Sequence, residues 1–287
     1  MTMPANPKRF VATEAIATGA RQTAPGQPVV VGVNWLGLWT LYLKEVRRFF
    51  KVQLQTVWAP AITTLLFLAV FLVAIGGFKR EVLGVPFAAF LAPGLIMMGM
   101  AQNSFANSLS SLIIAKVQGT IVDVLMPPLS NREILVALVA GAVTRAWLVG
   151  LAIWGVMWAW PGVTVSVSNI WVVLLFGTLG GGLLGLMGVL TGIWADKFDH
   201  GAAVTNFVVQ PLTLLSGTFY SIDRLPPALQ TVSLWNPFFY MIDGFRSGFI
   251  GASEASVVVG AAVLLGLNVV LWAIASRLFE SGWKLRA

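Results

Sequence analysis

The chain has 287 residues, of which 57% are hydrophobic and 10% charged, with a mean hydropathy of +0.85. That leaves too little polar surface to cover a water-soluble globule of this length, so its solvent is lipid. The formal charge of +7 does not mark a nucleic-acid binder, because the cations sit in gaps between apolar runs rather than along one basic face. With no cysteine and a single histidine, His200, disulfides, thiolate metal sites and multi-histidine metal sites within one chain are excluded.

Residues 1–31 are rich in Ala, Thr, Pro, Gly and Gln and lack the apolar core of a cleaved signal peptide, which predicts a disordered cytoplasmic tail. Over residues 32–52, Trp35, Leu38, Trp39, Tyr42, Val46, Phe49 and Phe50 step by threes and fours between Lys44, Glu45, Arg47, Arg48 and Lys51. The pattern predicts an amphipathic helix in the headgroup plane. A basic flank that only enforces topology is the alternative. Residues 53–287 then form the transmembrane domain. Six runs reach the roughly 20 residues needed to cross hydrocarbon. They are Val57 to Gly76, Phe87 to Leu112, Leu135 to Trp160, Ile170 to Trp194, Val204 to Tyr220 and Val257 to Ile274. Trp58, Trp158, Trp160, Trp171, Trp194 and Trp272 fall near their ends, as in an interfacial belt.

Six spans place both termini on one side. Thirteen Lys and Arg fall there, against Lys79, Arg80, Arg224 and Arg246 on the other, which predicts cytoplasmic termini. The cytoplasmic connection after the second span carries Val117, Ile121, Val122, Leu125 and Met126 among Lys116, Gln118 and Asp123, and reads as a short amphipathic helix stopped by Pro127 and Pro128. The outer connection from Ser221 to Ser253 is too apolar for a solvated loop and is broken by Pro226, Pro227 and Pro237, so two short re-entrant or interfacial helices are expected there.

No lysine is followed by Ser or Thr, so the chain lacks a Walker A loop. Gly180, Gly182 and Gly185 match a dinucleotide fingerprint in spacing, yet no strand precedes them; Gly177, Gly181 and Gly185, like Gly188 and Gly192, repeat every four residues and suit close helix packing. Arg145 lies within the third span, where an unpaired cation costs at least about 2.5 kcal/mol. Either it contacts an anionic substrate group, or its donors pair with helix carbonyls or with Gln102, Asn103, Asn107, Asn206 or Gln210. Asp196, Lys197, Asp199 and His200 read as a solvated connection rather than a metal site.

Two stretches carry a family resemblance: Gly119-Thr120, Leu125, Pro128-Leu129-Ser130 and Glu133 after the second span, and Ser216-Gly217-Thr218-Phe219-Tyr220 through Leu225-Pro226, Trp235-Asn236-Pro237, Tyr240, Asp243 and Arg246 after the fifth. With these motifs the chain, from about Trp35 to Arg286, resembles the ABC-2 type permeases, membrane subunits of exporters for polysaccharides, lipid-linked glycans, nodulation factors and some drugs. The resemblance implies an all-α six-span subunit that forms dimers, has no catalytic residue, metal or cofactor, and relies on a separate ATPase chain to bind ATP. It also implies that residues 116–126, including Lys116, Gly119, Thr120, Asp123 and Leu125, form the helix seated in that ATPase. Phe219, Tyr220, Trp235, Phe238, Phe239 and Tyr240 would lie near the outer gate, with Arg145 a candidate on the path. An ion-coupled secondary transporter is the competing reading, weakened by the lack of a carboxylate inside the spans. An intramembrane enzyme would need a nucleophile, base or metal group that the chain does not offer.

Overall fold

The computed structural model describes residues 32–74, 81–160 and 165–285. The expected tail over 1–31, the cations Lys79 and Arg80, and residues 286–287 lie outside them. Helix α1 (Trp35–Phe50) is followed by a π-helical turn, Leu54–Trp58, that runs into α2 (Ala59–Ala74). A two-stranded antiparallel hairpin, β1 (Glu81–Val82) and β2 (Val85–Pro86), turns at Leu83 and Gly84, both with positive φ, and leads into α3 (Phe87–Val117). After α4 (Ile121–Leu125) come the long helices α5 (Asn131–Trp158) and α6 (Ile170–Trp194). Next, α7 (Phe198–Val204) continues through a π-helical turn, Thr205–Val209, into α8 (Gln210–Leu214). Two shorter helices, α9 (Pro227–Trp235) and α10 (Pro237–Ile250), precede α11 (Val257–Ser281).

Among the described residues, four helical stretches are long and apolar enough to cross a membrane: Leu54–Val73, Asn131–Trp158, Ile170–Trp194 and Val257–Ser281. The other two expected crossings differ for separate reasons. At 31 residues α3 is long enough, about 46 Å at 1.5 Å per residue. Its apolar character is diluted by Gln102, Asn103, Ser104, Asn107, Ser108, Ser110 and Ser111. The run over α7, its π-helical turn and α8 is apolar but short, with seven, five and five residues.

Helix α3 is the hub of the fold. It packs against α2, α5, α6 and α10, while α6 also meets α5, α10 and α11. One apolar cluster gathers Phe90, Met97 and Met100 of α3 with Phe176 of α6 and Met241 and Phe245 of α10. A second, toward the other end of α3, joins Leu112, Ile121, Val124, Leu138, Ile193 and Phe279. The closeness of α3 and α6 is made possible by glycine. A Cβ added at Gly188 would stand 2.4 Å from the Phe105 carbonyl oxygen, and one at Gly192 would stand 2.8 Å from the Leu112 Cβ. The formal dinucleotide fingerprint dissolves in the same way. Its glycines lie inside one continuous helix and face different neighbours: Gly180 meets Met97 and Met241, Gly182 meets Asn268, and Gly185 meets Ala142 and Ser104.

Gly188→Ala therefore forces backbone apart and is expected to destabilise the protein by ~1–3 kcal/mol, the usual range for overpacking. Gly155→Ala, at a site with nothing within 4 Å, serves as the control and is expected to be neutral or slightly stabilising. Thermal unfolding in detergent compares the two; equal melting temperatures would contradict the close-packing account.

Candidate functional site

The polar residues of α3 form two stripes, each with its own wall. Ser104 and Ser108, four apart, face the glycines of α6, and the Ser104 hydroxyl donates to the Gly181 carbonyl at 2.6 Å. Asn103, Asn107 and Ser111 are also spaced by four and face α5 and α1. Asn103 Oδ1 accepts from Arg145 Nη2 at 2.8 Å. The Arg48 guanidinium donates to the Asn107 carbonyl at 2.8 Å, to Asn107 Oδ1 at 3.1 Å and to Ser110 Oγ at 2.9 Å. Glu45 is 2% exposed, pairs with Arg48 at 2.9 Å and accepts from Ser111 Oγ at 2.8 Å.

Arg145 is thus held by Asn103, one of the partners expected for it. Its Nε, Asn107 Nδ2 and Ser108 Oγ are buried without a hydrogen-bond partner. Of the two guanidiniums along this stripe only Arg48 is paired with a carboxylate, that of Glu45, so the stripe carries a net positive charge. In front of it lies a groove of about 330 Å³ between the α2 stretch (Gln55, Thr63, Thr64) and α3 (Gln102, Asn103), and Asn103 belongs to both groove and network. A polar groove backed by excess positive charge suits an anionic or hydroxyl-rich group.

The part of this network on α1 was not foreseen. Glu45 was grouped with the charged face, although it sits four residues from both Leu41 and Phe49, the other two buried residues of the helix. That stripe packs on α5, and Gly141 makes room for it: a Cβ there would stand 2.9 Å from the Glu45 Cβ.

At the connection between α3 and α5 the expected continuous helix over 116–126 is interrupted. Lys116 belongs to the last turn of α3, and its ammonium caps the C-terminus of α6, donating to the carbonyls of Ile193 at 2.9 Å and Ala195 at 2.7 Å. Gly119, at φ +71°, breaks the helix, and only Ile121–Leu125 form α4. Ile121 and Val124 are buried in the second cluster, while Val122 and Met126 are exposed. Asp123 and Thr120 are exposed and Leu125 is half-buried against the cluster. Ser130 and Glu133 form a capping box that starts α5.

Asp196 accepts from Lys284 at 2.8 Å and lies 3.5 Å from Lys116. The Lys284 hydrogen bond holds the Asp196 carboxyl below its ordinary value. His200 accepts from the Asp196 amide through Nδ1, and its ring packs on Trp194 at 5.3 Å.

On the opposite side, the second motif stretch stitches the α9–α10 region to the core. Arg246, 1% exposed, donates to the carbonyls of Phe90 at 3.1 Å and Gly217 at 2.7 Å, with its guanidinium 3.8 Å from the Phe90 ring centroid. It is a buried strut and cannot serve as an exposed topology charge. Asp243 accepts from the amides of Glu254 and Ala255, and Glu254 accepts from the Ile222 amide at 2.8 Å. Burial pushes the Glu254 carboxyl above its ordinary value. Asn236 caps α10 at the Phe238 amide and reaches the Leu212 carbonyl at 2.8 Å.

The six aromatics assigned to a gate occupy different environments. Phe238 and Phe239 are buried at 1% exposure, Tyr240 packs tilted on Phe239 at 5.2 Å, and Trp235 is 84% exposed. Phe219 stacks on Phe71 of α2 at 4.8 Å, and the Tyr220 hydroxyl donates to the Leu214 carbonyl at 3.4 Å.

Helices apolar enough to cross a membrane, a polar seam enclosed between them and an interrupted turn with exposed apolar tips point to an integral membrane protein of the transport-permease class. The model of the ABC-2 type transporter family matches residues 37–250, and the chain belongs to that family. It is 36% identical to the inner membrane transport permease YadH of Escherichia coli (strain K12) over 253 residues, 88% of this chain and 98% of that protein. It is 27% identical to nodulation protein J of Rhizobium leguminosarum bv. viciae over 250 residues, 87% and 95% of the two chains. Membership makes the chain the membrane component of an ABC transporter.

Replacing Arg246 by Met takes a buried donor away from the carbonyls of Phe90, Gly217 and Thr218 and is expected to destabilise the protein by ~3 kcal/mol or more, as for other broken buried charge networks. Thermal unfolding in detergent is the readout. A loss below about 1 kcal/mol, the level of an ordinary surface change, would show that Arg246 is not a strut.

Proposed function

We propose that this chain is the permease subunit of an ABC exporter in a bacterial inner membrane. It crosses six times with both termini cytoplasmic and works as a homodimer. A separate ATPase subunit drives it, and ATP is bound by that partner alone. Its cargo is amphipathic or lipid-linked, a glycolipid, polysaccharide or drug moved outward. The six crossings comprise the four apolar stretches together with α3, shielded by its neighbours, and the short run from α7 to α8.

The observation that carries this reading is the two-sided turn at α4. Its inner residues Ile121 and Val124 are anchored in a cluster built from α3, α5, α6 and α11, while Val122 and Met126 are left exposed. A surface of that kind can receive a partner and pass displacement to four helices at once. The groove in front of Asn103 and Arg145 then serves as this subunit's share of the path.

The competing secondary transporter needs a carboxylate free to bind a coupling ion. Glu45 is paired with Arg48 and Ser111, and Asp243 with two backbone amides, so neither is free for that role.

Val122→Asp and Met126→Asp change only exposed atoms. Each is expected to weaken co-purification with the ATPase subunit about tenfold and to reduce transport-coupled ATP hydrolysis, while membrane insertion stays normal. Full ATPase association in the double variant would refute the docking role. Transport by the purified chain alone, without ATP, would refute the exporter reading and favour the ion-coupled one.

A further inference from the structure

A second groove, separate from the polar seam, lies beneath α1, with a volume of about 540 Å³. Trp39 and Tyr42 of α1 form one wall, Val136, Ala140 and Val143 of α5 another, and Trp272 of α11 closes it. The polar atoms at its edge are already bonded within the protein. The Tyr42 hydroxyl meets Thr144 Oγ1 at 2.9 Å, Thr144 donates to the Ala140 carbonyl at 2.8 Å, and Thr178 Oγ1 accepts from Trp147 at 3.3 Å. The rest of the lining, with Leu38, Val136, Val139, Ala140 and Val143, is largely aliphatic and suits an apolar ligand.

Two walls of the groove belong to helices apolar enough to cross the bilayer, and the third is the amphipathic helix. On α1 the groove residues and the exposed cations Lys44 and Arg47 occupy different faces, as they must in a helix lying where hydrocarbon gives way to headgroups. The face of α5 that lines the groove continues one turn toward its N-terminus to Arg132, four residues before Val136. Arg132 is exposed and makes no hydrogen bond or ion pair among the described residues.

We infer that this groove holds an acyl chain of an acidic phospholipid from the surrounding bilayer, with the headgroup phosphate beside Arg132. The inference rests on placing the N-terminal end of α5 at the cytoplasmic headgroups. A chain seated there fills the space under α1 and keeps that helix level on α5, where its Glu45 and Arg48 reach the α3 seam.

Native mass spectrometry of the full-length protein tests this after equilibration with equal amounts of phosphatidylglycerol and phosphatidylcholine. The wild type is expected to retain one phosphatidylglycerol per chain. Ala140→Trp, which fills the groove, is expected to retain neither lipid. Arg132→Gln, a surface change that leaves the fold intact, is expected to keep a lipid but lose about fivefold in its preference for phosphatidylglycerol, the share of one cation near an anionic surface.

Wild-type lipid retention in Ala140→Trp, or undiminished preference in Arg132→Gln, would overturn the proposal. So would disulfide-linked dimers of Val143→Cys in a chain with no other cysteine, because a second copy would then occupy the groove. If Ala140→Trp does not fold, the Arg132 variant decides. Retention is read without ATP or an ATPase subunit, so a negative result leaves the exporter reading standing, and failure of an ATPase to co-purify leaves the groove standing.

Discussion

A helix that carries Asn103, Ser104, Asn107, Ser108 and Ser111 among helices apolar enough to cross a membrane must be walled in by protein, since lipid would offer those groups no hydrogen bond. Much of the fold follows from enclosing α3 in this way. Glycine lets α6 come close enough for Ser104 to reach a main-chain carbonyl, which satisfies that hydroxyl of the first stripe. The other stripe needs donors and acceptors from further off, and these come from Arg145 on α5 and from Glu45 and Arg48 on α1. Helix α1 therefore belongs to the polar interior through Glu45 and Arg48 while its other face stays exposed.

The same constraint determines what was legible in the sequence. Apolar runs of sufficient length, the proline-broken pair at α9 and α10 and the stop after Met126 follow from residue type and spacing alone, which also narrow the partners of Arg145 to a short set that includes Asn103. The burial of Glu45 was also available, because a three-residue stripe at positions 41, 45 and 49 places it between two apolar residues. What spacing could not supply was which glycine faces which helix, or that Arg246 and Lys116 are committed to carbonyls of distant elements. Arg246 binds Phe90, 156 residues away, and Lys116 binds Ala195, 79 residues away. Such pairs depend on how helices cross, which no local pattern encodes. The aromatics between Phe219 and Tyr240 show the reverse problem: one composition served a buried core at Phe238 and Phe239 and an exposed surface at Trp235.

Two basic residues illustrate how a cation can be taken out of the surface charge. Lys116 completes the C-terminal end of α6, where the carbonyls lack helical partners, and Arg246 does the comparable job for carbonyls of α3 and the 216–220 turn. Neither reports on membrane orientation as a solvated lysine would; because one comes from each side of the count, the asymmetry between the two sides survives their removal.

The commitment of Lys116 also bears on how force could cross the subunit. Because its ammonium ties the last turn of α3 to the end of α6 and to Asp196, which Lys284 holds from the C-terminal side, α3, α6 and the segment after α11 meet at one polar knot. Leu285 is buried in the same cluster as Ile121 and Val124. The α4 turn therefore rests on a base whose parts are fastened to one another, while Gly119 gives it a single flexible attachment to α3. A stiff base with a short, pliant connection transmits a push and resists bending. The seam that holds Arg145 and Asn103 runs along the same α3 that this base grips, so on the exporter reading proposed above one continuous helix links the turn to the groove.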